Sequence, residues 1–533
     1  MNLRRRFPTF VVVWIALCVI SPHRAIARSA SNDIFTVSEL NELYNASEPS
    51  AELEQRLRNV LNNPYVGSFA DAARPRLSRS AELGEFIRVA QWNIENGTEF
   101  DAIAAAFESD ERVIGHLDAV RFPEGSNVRS TILEQARLLR AADVIILNEV
   151  DWGVARSGYR DVARDLAQRL GMHYAYGVGF VELSPVYMSQ KLDDAATRPK
   201  ELNDAVKIDP ERYRGFHGTA ILSRFPLSNV KLTPFDYQPY DWFEDEKKGV
   251  SFVDKFRRTL VKQVFLEDAL RQVRRGGRMM LTAEITDPSF PAGRITIVAT
   301  HLENRTSPKL RERQLRELLD NIKDIRGPVV VAGDMNTSGS DMTPTTLERE
   351  LNKRFGKAEY WAKTGLNYLL GTGLIQDAAI ASLTFGRNHG DPTVRHIPVL
   401  MPNEERKFFS TLKAFRFADK GVFDFRGEAA RSSNGRRNTF ANSNERDEKG
   451  FVTTFRLQRP VKFIGKFKLD WIFVKPVHLF DPSDYQGSYL LAPHFGRTLD
   501  AVNSISPERI SDHSPLIVDL PLTEPPLPKK ARK

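Results

Sequence analysis

The chain has 533 residues, 41% of them hydrophobic and 27% charged, and one cysteine, Cys18. That is an ordinary globular composition with room for a large core, and it excludes disulfides, cysteine-bound zinc and a thiolate nucleophile from everything after residue 18. The net charge of +8 sits at the ends: Arg4, Arg5, Arg6 and Arg24 precede the body and Lys529, Lys530, Arg532 and Lys533 close the tail, so the stretch between is neutral and gives no argument for a nucleic-acid-binding body.

The first segment reads as a signal peptide over 1–27. Three arginines at 4–6 form the cationic head, Phe10 to Ile20 is an unbroken apolar run, and Ala25-Ile26-Ala27 is a small-residue cleavage pattern. Those eleven residues are too few for a membrane span of about twenty. The expectation is export, to the periplasm or outside the cell, with an uncleaved membrane anchor as the alternative. Leu17 before Cys18 does not fit a lipid-attachment site.

Residues 28–84 read as a lead-in, helical where Leu53, Leu57 and Leu61 recur every fourth position. From Phe86 the pattern changes to short apolar runs, each closed by a polar residue. Residues 86–92 partly alternate and read as a strand ending at Asn93, and Val144 to Leu147 is a buried-strand run that delivers Glu149. Between them residues 131–140 are helical, and Val162, Leu166 and Leu170 mark an amphipathic helix that Gly171 ends. Ala220 to Leu222 is another strand. Ile295, Ile297, Ala299 and His301 share one face of the next. A helix from about Ser307 buries Leu315, Leu318, Leu319 and Ile322, Gly327-Pro328 breaks it, and three valines at 329–331 lead to Asp334. The last strands run over 468–474 and 515–520, before a basic tail over 522–533.

Strands mixed with helices, without a regular βαβ beat, predict an α+β fold with two packed β-sheets and helices outside them. One domain over 85–521 is expected, with insertions near 228–276, where Phe265, Leu266, Leu270 and Val273 form an apolar stripe, and near 338–461.

Six segments end β-like runs with an amide, carboxylate or imidazole: Asn93-Ile94-Glu95, Asn148-Glu149-Val150-Asp151, Thr300-His301-Leu302-Glu303, Gly333-Asp334-Met335-Asn336, Leu469-Asp470-Trp471 and Ser511-Asp512-His513-Ser514-Pro515. Strand ends are where a rigid scaffold presents a site, and oxygen ligands with two histidines suit a hard cation beside a phosphate. Glu149 is the natural Mg²⁺ ligand. Asp334 and Asn336 can share one side of a turn and orient a water, and Asp470 can orient His513. Each residue alone has a structural alternative: a turn asparagine, a solvated carboxylate pair, a core histidine or a capping aspartate. The joint order of six strand ends is what argues against them.

The ordered series resembles the endonuclease/exonuclease/phosphatase superfamily over about residues 86–520. The resemblance implies a four-layer α/β/β/α sandwich and metal-dependent hydrolysis of a phosphoester. It implies Asn93, Glu149 and Asp512 as the metal-side cluster, Asp334 and Asn336 beside the scissile phosphate, His513 held by Asp470 as acid/base or charge clamp, and His301 donating from the opposite side. The ion expected is Mg²⁺, with Mn²⁺ and Ca²⁺ as alternatives. Whether His513 or Asp334 activates the water stays open.

Two departures bear on substrate. Phe216 stands where abasic-site endonucleases carry a tyrosine, and His301 is a residue they generally lack, whereas secreted deoxyribonucleases and sphingomyelinases have it. Arg156, in a segment similar to uncharacterised bacterial branches, is expected either to reach a substrate phosphate or to be a surface arginine. The leading reading is an exported phosphodiesterase or nuclease acting on nucleic acid or another phosphoester, with no obligate protein partner and as a monomer. The alternatives are a sphingomyelinase-like lipid phosphodiesterase acting on phospholipid, for which 235–243 would have to be an exposed aromatic hairpin, and a non-catalytic binding protein on the same fold.

Overall fold

The computed structural model describes residues 34–46, 48–71, 73, 75–183, 209–247, 272–337, 405–436, 442–447, 450–461, 464–481, 489–507 and 509–525. The expected signal peptide, the tail beyond 525, the stripe residues Phe265, Leu266 and Leu270, and 338–404 of the second expected insertion lie outside the described residues. Among the described residues no helix is long and apolar enough to cross a membrane.

The strands in chain order are β1 (Tyr65–Ser68), β2 (Ser78–Ser80), β3 (Gly84–Asn96), β4 (Val144–Trp152), β5 (His173–Glu182), β6 (Phe216–Ser223), β7 (Leu227–Pro234) and β8 (Arg274–Gly276), then β9 (Met279–Thr286), β10 (Arg294–His301), β11 (Val329–Asp334), β12 (Phe455–Val461), β13 (Ile464–Phe467), β14 (Asp470–Lys475), β15 (His494–Thr498) and β16 (Leu516–Pro521). The first sheet runs β1-β5-β6-β4-β3-β16-β15, with β2 added on β3 and β8 on β5; the second runs β14-β11-β10-β9-β7. β3 and β4 are parallel, as are β10 and β11, and each pair is joined through helices.

Alternation along the strands sorts their side chains into layers. In β3, Ile87 and Val89 point at the second sheet while Ala90, Trp92 and Ile94 point at the outer helices. The inter-sheet layer is continued by Val144 and Ile146, by Ile295, Ile297 and Ala299, by Val330 and Ala332, and by Ile472 and Val474. Helices α1 (Val37–Asn45), α3 (Phe100–Glu108), α4 (Asp110–His116), α5 (Asn127–Arg140) and α6 (Val162–Leu170) bury their apolar stripes on the outside of the first sheet, and α2 (Ala51–Asn62) packs against both β5 of the first sheet and β7 of the second. After a short α7 (Glu244–Lys247), α8 (Pro308–Ile322) and α9 (Arg406–Ala414) cover the second sheet with Leu315, Leu318, Phe408 and Phe409. The result is the α/β/β/α sandwich, an α+β fold.

The stretch read as a lead-in is part of this body. α1 opens on a capping box between Thr36 and Glu39, and Leu40, Leu43, Leu53, Leu57 and Val60 join the core of the first sheet, as their helical spacing requires. The segment expected as an insertion from Ser228 likewise opens inside β7, which pairs with β9, and ends inside β8, which pairs with β5.

Two positions in this frame carry measurable consequences. Gly333 has φ +151°, and a Cβ there would sit 1.8 Å from the Thr300 carbonyl oxygen on the neighbouring parallel strand. Gly333→Ala is expected to destabilise the fold by about 2–4 kcal/mol, read as a lowered urea midpoint. Asp143, buried at the mouth of β4, accepts the Arg88 backbone N–H at 2.8 Å, yet burial pushes its pKa up to about 6. Its folded pKa lies above the unfolded value of about 3.9, so the stability it lends is complete below about pH 4 and is lost as the pH rises through 6. Asp143→Asn should therefore gain about 2 kcal/mol relative to the wild type between pH 4 and pH 7, measured by denaturant titration at each pH.

Candidate active site

At one end of the sandwich the inter-sheet layer turns from apolar to polar without a change of register. On β3, Ile87 and Val89 are followed at the same spacing by Gln91; on β4, Val144 and Ile146 by Asn148; on β10, Ala299 by His301; on β11, Ala332 by Asp334. β14 reaches the same level at Asp470, two positions before Ile472, and β6 at Thr219 and His217, ahead of Ile221. The period of two that builds the core thus also aims these groups at one another.

Bulges set the remaining side chains. The β4–β6 register shifts between Asn148 and Val150, leaving Glu149 as the extra residue at φ 52°, and the β3–β4 register shifts between Asn93 and Asn96, with Glu95 at φ 46° and Asn96 at φ 64°. A left-handed backbone is uncommon for such residues, and bulges of this kind re-aim side chains beside sites. Asn93 then spans two carboxylates: its Nδ2 donates to Glu149 Oε1 at 3.1 Å and to Asp334 Oδ2 at 3.3 Å.

Asn148 ties the sheets together under this cluster. Its Oδ1 accepts the Asp334 backbone N–H at 2.8 Å and Gln91 Nε2 at 3.2 Å, while its Nδ2 donates to the Thr300 carbonyl at 3.0 Å and to Thr219 Oγ1 at 3.2 Å. The Asn336 backbone N–H, at φ 48°, donates to Asp334 Oδ1 at 2.8 Å, and its Nδ2 is committed to the Leu302 carbonyl at 2.9 Å. Asn336 therefore shapes the turn that holds Asp334, with its backbone N–H and one side-chain N–H used for that task.

Two buried imidazoles bracket Asp334. His513 Nε2 lies 3.7 Å from Asp334 Oδ2, and His301 Nε2 lies 3.5 Å from the same oxygen on the other side. His513 Nδ1 donates to Asp470 Oδ2 at 2.7 Å, which directs Nε2 at the cleft; Asp470 is steadied in turn by Gln91 Nε2 at 3.0 Å. Trp92 Nε1 and Asn503 Nδ2 both donate to the His513 carbonyl, at 3.0 and 2.8 Å, and the Phe455 ring packs 4.9 Å from the imidazole. Asp512 stands on the open side of the cleft, its Oδ1 3.9 Å from His513 Nε2.

These surroundings separate the charge states. Burial disfavours the His513 cation, but the carboxylates of Asp470, Asp334 and Asp512 outweigh it and raise its pKa to about 10. Burial, with Arg278 and the other imidazoles adding to it, pushes His301 well below the usual histidine range, so that ring is neutral at pH 7. Asp334 is raised to about 6 by burial, against the pull of His513 and with Asp470 and Glu149 adding repulsion. Burial also opposes ionisation of Asp470, and the His513 cation overcomes it, holding this carboxyl below the ordinary aspartate value.

Which of these groups can hold a cation follows from how their oxygens are used. Among the described residues, the group of three His, Asp or Glu side chains whose ligand atoms lie within 4.8 Å of one another is Asp334, Asp470 and His513. Asp470 and His513 spend their facing atoms on each other, and a protonated imidazole is no ligand, so that pair is an orienter and a cation in its own right. Glu149 differs: its carboxylate accepts from Asn93, faces Asp334 across that amide, and has no ion-pair partner among the described residues. Oxygen donors whose negative charge is not offset suit Mg²⁺, Mn²⁺ or Ca²⁺, and the site fits such an ion.

Arg156 has a different placement from the one expected. Its guanidinium is bonded to Asp151 through Nε at 2.7 Å and Nη2 at 2.8 Å and reaches Glu182 at 3.1 Å, so its charge is offset by two carboxylates of the protein. Asp151 also accepts from His217 Nδ1 at 2.9 Å, and Glu182 pairs with Arg274 at 2.9 Å. The sequence assigned no role to Gln91, Asn148 or His217. The signal was present for all three: each is a polar residue in phase with the inter-sheet apolar face. The 235–243 segment is not an exposed aromatic hairpin either. Phe235, Trp242 and Phe243 are buried, Trp242 Nε1 donates to Glu303 at 2.9 Å, and Arg274 and Arg305 stack on its ring.

A search of curated proteins finds no match. Solved structures similar to the chain include an endonuclease/exonuclease/phosphatase from Beutenbergia cavernae (16% identity, 82% of this chain and 72% of that one, TM-score 0.33) and the human Nocturnin catalytic domain with bound sulfate (17%, 84% and 98%, 0.35). An AP endonuclease from Archaeoglobus fulgidus is similar at 14% identity, over 81% and 99% of the two chains, with a TM-score of 0.34. The family model described as Endonuclease/Exonuclease/phosphatase family matches residues 90–513, which takes in every strand end from Asn93 to His513. The chain belongs to that family of phosphoester hydrolases.

Proposed function

We propose that this protein is an exported, divalent-metal-dependent phosphodiesterase or nuclease that cleaves its ester with an activated water. The observation that carries the reading is the convergence of two imidazoles on one Asp334 oxygen, next to a Glu149 carboxylate that has no ion-pair partner among the described residues. Asp334, ionised above about pH 6, takes the proton of a water placed between the imidazoles; a base whose pKa lies near the working pH is the effective one. The His513 cation, kept charged by Asp470, holds a phosphoryl oxygen as negative charge builds up, and the neutral His301 faces that group from the other side. A divalent ion bound at Glu149, Asn93 and Asp512 supplies further positive charge to the phosphoryl oxygens when present. The N-terminal segment over 1–27 supports export.

The test is hydrolysis of bis(p-nitrophenyl) phosphate with and without EDTA. We expect activity that EDTA abolishes and Mg²⁺ or Mn²⁺ restores. Activity unaffected by EDTA would remove the metal from the reading, and no hydrolysis of this ester, plasmid DNA, RNA or sphingomyelin vesicles would favour a binding protein on the same fold. The same panel separates nuclease from lipid phosphodiesterase.

A further inference from the structure

Beyond His301 the cleft continues into a narrow recess between the two sheets, lined by His217 and Thr219 of β6, Gly179 and Phe180 of β5, Arg278 and His301. Its polar side chains are positioned from behind. His217 Nδ1 is engaged by Asp151, which Arg156 grips in turn, so Nε2 is the one uncommitted nitrogen of the ring. Arg278 Nε reaches Glu303 at 3.2 Å and Nη2 reaches Asn304 at 3.4 Å, and its guanidinium lies 5.3 Å from the Phe180 ring centre, which leaves Nη1 without a bond among the described residues. His301 Nε2 is buried in the wall with no hydrogen-bond partner among the described residues. Glycine lines the floor because the backbones nearly touch: a Cβ on Gly218 would lie 1.9 Å from the Gly177 carbonyl oxygen. The carboxylates of this region, Asp151, Glu182 and Glu303, are bonded to His217 and the arginines, and Arg278, His217, His513 and Arg274 are, after burial, the strongest influences on His301.

We propose that this recess receives a second phosphate of the substrate, adjacent to the scissile ester, with His217 and Arg278 as its contacts. The inference rests on the proposed hydrolysis and deepens it: His217 selects phosphoesters that carry a neighbouring phosphate over simple diesters. A phosphate fits the donors by charge and by number, since Arg278 Nη1 donates directly and the His217 ring, held at Nδ1 by Asp151, presents Nε2 as the second contact. The recess is closed by Phe180 and the glycine floor, which suits a compact anion better than a flat base.

The test compares two esters that differ by one phosphate, thymidine 3′-(p-nitrophenyl phosphate) with and without a 5′-phosphate, in the wild type, His217→Gln and Arg278→Lys, with thermal unfolding as the check that each variant folds. The wild type is expected to favour the 5′-phosphorylated ester in kcat/KM, and each variant to lose about tenfold of that preference, the loss of one charge-assisted hydrogen bond. Equal kcat/KM for the two esters in the wild type, or an unchanged ratio in both folded variants, overturns the proposal. Binding of pyrophosphate in EDTA, measured by calorimetry, needs no turnover: if neither ester is cleaved, the proposed function fails, and the recess stands or falls on whether His217→Gln weakens that binding about tenfold. An oligonucleotide with a methylphosphonate next to the cut distinguishes a polymer's neighbouring linkage from a terminal phosphate.

Discussion

Replacing His513 by alanine is expected to lower kcat on bis(p-nitrophenyl) phosphate by about 10³-fold, with KM changed much less. The substitution removes a buried cation that stands 3.7 Å from Asp334 Oδ2 and 2.7 Å from Asp470 Oδ2. Its loss leaves two buried carboxylates without their common counter-charge, so Asp334 rises further above its value of about 6 and is less ionised at neutral pH. Asp470→Asn gives the sharper reading, because it keeps the shape and still donates to or accepts from the ring while removing the charge that holds His513 cationic. That variant is expected to lose about 10²-fold, and the double variant little more than His513→Ala alone, since both act through one imidazole. A folded His513→Ala protein that keeps a tenth of the wild-type rate would show that the imidazole lies outside the chemistry.

Glu149→Gln is expected to raise the metal concentration needed for half-maximal activity by about 100-fold and to lower the saturated rate as well. Gln keeps the volume and can still meet the Asn93 side chain, so the fold should survive, but the carboxylate that has no ion pair among the described residues is gone. The measurement is a metal titration of activity beside thermal unfolding with and without metal: the wild type should gain stability from Mg²⁺ or Mn²⁺ by mass action, and the variant should not. A wild-type titration curve in the variant would move the ion to the cluster of Asp334, Asp470 and His513, where the donor atoms are closest together.

Much of this was legible before any coordinates. β10 announces itself by Ile295, Ile297 and Ala299, and the same alternation places His301 on the buried face, where it is found. β11 ends at Asp334 as its valine run requires, and Gly333 before it is explained by the 1.8 Å approach of the Thr300 carbonyl. The helical spacing of Leu53 and Leu57 was equally plain, but whether that helix packed on the domain or stood apart from it depends on what lies opposite, and a single helix does not carry that information. The strand Leu227–Pro234 was hidden for a similar reason: it is an edge strand with mixed burial, so the alternation that marks a strand is weak there.

Residue type and local periodicity were enough to say which side chains would reach strand tips, because a step of two along a strand is a property of the backbone and needs no neighbour. Partnership is another matter. Gln91 meets Asp470 across 379 positions, Asn148 meets the Thr300 carbonyl across 152, and Arg156 spends its charge on Asp151 and Glu182 rather than on a ligand. Those pairings are settled by the order and stagger of the strands in two sheets, and the free energy that selects one stagger is summed over the whole inter-sheet layer, so no short stretch of chain contains it.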